Sequence, residues 1–159
     1  MSDIESLIAG SEKLTSIFGY WPSFHDARII DLHFWSGDVD PDQERYTFPI
    51  LTVKLHVWEL TEETDSKGGL VCRHHTLTTL RFHDVDDFKL EGFDHLNEIL
   101  ELSIVTQERG KFLTGEDLPP YIVVHFQPAL PGSTAASFRC FRVEVVDAVA
   151  CTEDGKVLT

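Results

Sequence analysis

The chain places three aromatic residues, a histidine and an aspartate in one short run, Gly19-Tyr20-Trp21-Pro22-Ser23-Phe24-His25-Asp26-Ala27. An imidazole with a carboxylate partner can act as a base or a metal ligand, because either role needs a group that fixes the ring. Adjacent residues of an extended chain point to opposite faces, so Asp26 is expected not to orient His25. The competing reading is structural: Pro22 holds Trp21 extended, the aromatics plug one end of the core, and His25 and Asp26 hydrogen-bond turn backbone. A metal-dependent hydrolase would recruit Asp31 and His33 as well as His25 and Asp26. No H-E-x-x-H or H-x-H spacing supports that chemistry, and His33, His56, His75 and His125 are expected on the polar faces of strands.

Nucleophilic and nucleotide chemistry find less. There is no G-x-S-x-G string, Cys140 lies in the apolar run Phe138-Arg139-Cys140-Phe141, and the pair Gly68-Gly69 lacks a following Lys-Ser/Thr. Cys72, Cys140 and Cys151 are an odd number with no C-x-x-C spacing, so reduced thiols are expected and no cofactor is implied.

Acidity is the stronger signal. Of 159 residues, 13 are Lys or Arg and 27 are Asp or Glu, a formal net charge of −14 that both halves of the chain share equally. Such a field repels phosphate backbones and anionic lipid, arguing against nucleic-acid and membrane partners and for a basic protein partner. The carboxylates gather at Asp38, Asp40, Asp42 and Glu44, at Glu59, Glu62, Glu63 and Asp65, and at Asp84, Asp86 and Asp87. The first run lacks the central glycine and distal glutamate of a calcium loop. A solvated loop is one reading of these clusters, and a docking face for Lys and Arg is the other.

The elements that must position these groups follow from hydrophobic period. Ser2 and Glu5 have capping-box spacing, Ser11 can cap again, and Leu14, Ile17 and Phe18 continue one helical face until Gly19, predicting a helix broken near Gly10. Ile30, Leu32 and Phe34 then alternate with polar residues, and Leu51, Val53, Leu55 and Val57 alternate with Thr52, Lys54, His56 and Trp58. Further strands are predicted over 74–83, 88–90, 99–106, 121–127 and 138–149. Leu100, Leu102, Ile104, Ile122, Val124 and Phe126 join the four residues from Leu51 to Val57 as expected core. With no strand–helix alternation, the expectation is a single α+β domain over 1–159: a mainly antiparallel sheet of five to seven strands, with the N-terminal helix on one face. The start Met1-Ser2-Asp3-Ile4-Glu5 lacks a cationic and apolar leader, so a cytoplasmic location is expected.

The string from Phe18 to Ala27, with Leu80-Arg81-Phe82, Leu90-Glu91-Gly92-Phe93-Asp94, Asn97 and Phe138-Arg139-Cys140, resembles the immunity protein 50 family from about Leu14 to Val149. Arg28 stands where an acidic residue would follow the His-Asp-Ala string. The resemblance implies a non-enzymatic protein of a bacterial polymorphic toxin system, which binds a cognate toxin domain and blocks it. A basic toxin, such as a nuclease, fits the charge; a generic acidic interaction domain is the alternative. The acidic loops Asp38–Glu44 and Glu59–Asp65 are the expected toxin contacts, and Trp21, Pro22, Ser23, Phe24, His25 and Asp26 are expected to hold the fold.

Overall fold

The computed structural model describes residues 4–158, leaving aside the side chain of Arg45. The expected capping box rests on Ser2, outside the described residues. In chain order the elements are a 3-10 turn at Ile4–Leu7, β1 (Ile8–Ala9), α1 (Glu12–Phe18), β2 (Arg28–Trp35), β3 (Val39–Asp40), β4 (Arg45–Tyr46), β5 (Ile50–Thr64), β6 (Leu70–His83), β7 (Asp86–Glu91), β8 (Ile99–Gln107), β9 (Tyr121–Pro128), β10 (Ala135–Cys140) and β11 (Arg142–Ala150). No helix among them is long and apolar enough to cross a membrane.

The α+β class is as expected, but the strands divide into two main sheets. One has the order β1-β11-β6-β5-β2 and the other β7-β10-β9-β8, while β3 and β4 form a separate ribbon. All pairings are antiparallel except β1 with β11. The division arises because the expected strand 138–149 breaks at Phe141: β10 pairs with β9, whereas β11 pairs with β6. The inner faces share one core, in which Phe82 of β6 meets Phe126 of β9 and Phe138 of β10 edge-on at 6.1 and 4.9 Å.

Leu51, Val53, Leu55 and Val57 are all fully buried, in keeping with their alternation. Each such side chain stabilises by about 1.5–3 kcal/mol. Leu100 departs from expectation: a register shift between Ile99 and Glu101 turns Ile99 into the core and leaves Leu100 40% exposed. A similar shift in β2 buries Ile29 and exposes Ile30.

The N-terminal segment is less helical than its spacing suggests. Gly10, at φ +74°, lets the chain pass so close to β11 that a Cβ there would lie 2.7 Å from the Val145 carbonyl. Ile8 and Ala9 pair with Val143 and Glu144, and the helix begins only afterwards. Ser11 makes no side-chain cap; its hydroxyl donates to the Glu5 carbonyl at 2.9 Å. Gly19 ends the helix in the left-handed conformation. The helix lies beside β11, where Lys13 Nζ donates to the Val146 carbonyl at 3.0 Å, and buries Leu14 and Phe18.

Candidate functional site

The stretch after the helix sews the two sheets together. Leu102 N–H donates to the Ser23 carbonyl at 3.2 Å, Ile99 N–H to Ala27 at 2.9 Å, and Ile29 N–H to Asn97 at 2.9 Å. Pro22, Phe24 and Ala27 turn inward, and Trp21 is half-buried against Phe24 with ring centroids 5.5 Å apart. Phe24 and Asp26 sit at φ 62° and 63°, a conformation that side chains with a Cβ adopt at a cost.

That backbone corrects the expectation for His25 and Asp26. They occupy a turn and not a strand, so the two side chains lie on one side, with His25 Nδ1 3.1 Å from Asp26 Oδ2. His25 N–H is also held by Ser23 Oγ at 3.2 Å. Both members of the pair are about half exposed, which makes this a surface contact of small energy.

Beside this turn lies a cleft of about 810 Å³. Its walls come from the 3-10 turn (Glu5), the connector (Tyr20, Trp21, Pro22, Ser23, His25), β5 (Trp58, Glu59, Leu60) and β8 (Glu101 to Ile104). Among the described residues, three carboxylates and no Lys or Arg line it. Glu59 is engaged by Arg73 Nη2 at 3.1 Å and faces His74 Nε2 at 3.8 Å. Desolvation at its site, with the Glu59 carboxylate next in effect, pushes the Tyr20 phenol above its ordinary range.

The first two acidic clusters do not converge, whereas Asp84 and Asp86 of the third share a pocket with Phe48 beside the first. Asp38, Asp40, Asp42 and Glu44 are exposed on and around the β3–β4 ribbon, which precedes β5, while Glu62, Glu63 and Asp65 are exposed where β5 turns into β6. Fourteen residue steps of β5 separate the two ends by roughly 45 Å. Two aspartates close turns: Asp40 Oδ1 accepts from Asp42 N–H at 3.1 Å, and Asp65 Oδ1 accepts from Lys67 and Gly69 N–H at 2.8 and 2.9 Å. Near the ribbon end, Asp86 holds Arg139, and the Arg109 and Arg139 guanidiniums both stack on Tyr121.

Four histidines expected on polar faces divide. His33 and His125 are exposed, whereas His56 and His75 are neighbours on β5 and β6. Among the described residues no three His, Cys, Asp or Glu side chains are grouped to hold a metal ion, so His25, Asp26, Asp31 and His33 do not assemble the hydrolase site. Cys140 is buried, and desolvation pushes its thiol up to about 12. The sequence reading missed Tyr20, Trp58 and Glu101 as wall residues of one cleft; only the long-range pairing of β8 with the connector brings them together.

A family model described as immunity protein 50 (Imm50) matches residues 10–147. The chain matches no curated protein and no solved structure.

Proposed function

The chain belongs to the immunity protein 50 family, and from that premise we propose that it binds one cognate toxin domain and neutralises it by occupying its surface, without chemistry of its own. The observation that carries the reading is the extent of the match, which takes in the connector, the cleft walls other than Ile4 and Glu5, and most of both sheets. The charge of −14 supports a basic toxin, a nuclease among them. Such a partner, charged to hold nucleic acid, would work in the cytoplasm, and the inhibitor with it. In this reading the carboxylates at 38–44 and 59–65 accelerate encounter with the toxin.

Co-expression tests the proposal. The toxin domain encoded by the gene directly upstream should arrest growth when produced alone, and this chain should restore growth while forming a stoichiometric complex with that domain. Growth arrest that persists despite soluble, folded inhibitor would sink the proposal.

A further inference from the structure

A compact toxin domain does not need both acidic ends. A standard interface covers about 800 Å² on each partner, a patch about 30 Å across, which is less than the length of β5. The ends also differ in charge. At the ribbon end the pocket bounded by Phe48, Asp84, Asp86, Tyr121 and Phe141 includes Arg109, and Arg139 is already stacked on Tyr121 and paired with Asp86. The cleft at the other end has no Lys or Arg among the described residues of its walls; Arg73 beside it is taken up by Glu59, and its carboxylates Glu5 and Glu101 form no ion pair among the described residues.

Aromatic rings beside carboxylates in a recess suit a cation with an apolar stem. The ring faces attract the charge, the carboxylate neutralises it, and the recess covers the stem. The edge of β8 adds backbone groups. Leu102 N–H points away from β9 and is taken by Ser23; Ile104, two residues on, directs its backbone the same way, lines the cleft, and meets no further strand. An extended segment lying in the cleft can use those groups.

We infer that this cleft anchors the toxin, and that its occupant is a protruding basic segment of the toxin domain, whose Arg or Lys side chain inserts among Tyr20, Trp58 and Glu101. The inference rests on the toxin-binding reading above and adds the place and the chemistry of the contact. The ribbon carboxylates then act at a distance, on association, and the cleft acts on dissociation.

The test measures binding kinetics of the full chain against the catalytically inactivated toxin domain encoded directly upstream. Tyr20→Ala and Glu101→Lys should each raise the dissociation rate tenfold or more, with Glu101→Gln milder than Glu101→Lys because it removes a charge without reversing it. Neutralising Asp38, Asp40, Asp42 and Glu44 together should change dissociation less than threefold. Thermal melts of each variant separate lost binding from lost fold. If wild-type protein binds and both cleft variants change dissociation by less than tenfold, the anchor is elsewhere while the toxin-binding reading stands. A Glu101→Gln variant weaker than Glu101→Lys would overturn a cationic occupant. Wild-type protein that does not bind overturns both.

Discussion

His56 Nε2 on β5 and His75 Nδ1 on β6 lie 3.1 Å apart, on the outer face of the large sheet and beneath the C-terminal turn. One ring must donate and the other accept, so the contact holds only while at least one of the two is neutral. His56 is 5% exposed, and Gly155 of that turn sits against its Nδ1. Burial, then His75, then Arg28 on the neighbouring strand, hold its pKa below the usual 6.5.

A histidine with a lowered folded pKa contributes stability that is present above the unfolded value and lost as pH falls below it. Melting temperature should therefore decline from pH 7.5 to 5, and the decline should shrink in His56→Gln. A His56→Gln protein with the wild-type pH slope would refute this.

Glu144 supplies the acid limb. A hydrogen bond from His83 Nε2 at 2.6 Å, opposed by desolvation and aided by Arg142 and Arg81, keeps its carboxyl below 4.5. Its stabilisation is present above that value and disappears as pH falls through the folded pKa. Denaturant titrations below pH 4.5 should show Glu144→Gln losing less stability with acid than the wild type.

The three cysteines should react in two classes. Cys72 is exposed; Cys140 and Cys151 are buried, and burial raises both of their pKa values. One thiol should titrate rapidly with a chromogenic disulfide in native protein, and two more after unfolding. Three rapid thiols in folded protein would contradict the buried placement.

Within the connector, stability and surface should separate by residue. Phe24 is 1% exposed, so Phe24→Ala should cost about 3–5 kcal/mol in chemical denaturation. Trp21 is only half-buried and should cost less than that range. His25→Ala removes an exposed pair and should change stability by less than about 1 kcal/mol.

Charge reversal at Asp38, Asp42, Glu62 and Glu63, all exposed, should slow association with a basic toxin domain and flatten its salt dependence, with little change in melting temperature. Stopped-flow association at several salt concentrations reads this directly. Unchanged rates would show that the field of these loops does not steer the partner.

Period-two alternation made β5 readable because a half-buried strand allows no other placement of Leu51, Val53, Leu55 and Val57. The same reasoning misplaced Leu100, since the irregularity between Ile99 and Glu101 breaks the alternation at the start of β8 alone, leaves Leu102 and Ile104 buried as their period predicts, and has no local mark. The corner at Phe141 was hidden likewise: Phe138 to Val149 remains strand-like in composition on both sides of it. In the connector, the fold of His25 toward Asp26 depends on a left-handed residue without glycine, which composition does not announce. The acidic runs were legible as surface, but not as structure: the first surrounds the β3–β4 ribbon, and Glu59, Glu62 and Glu63 of the second lie on β5 itself and not in a loop. Their separation was not legible either, because it follows from how far β5 extends and not from the runs themselves.

At Phe141 the chain leaves one sheet and enters the other within a single residue, whose N–H is already bonded to the His83 carbonyl at 3.1 Å. Buried Cys140 and Val143 flank this corner, one in each layer. Peeling β10 from β9 must therefore drag β11 from β6, and neither layer can open as an independent unit. Deep amides of both layers should exchange hydrogen with one common free energy, that of global unfolding, whereas the β3–β4 ribbon is free to open without them.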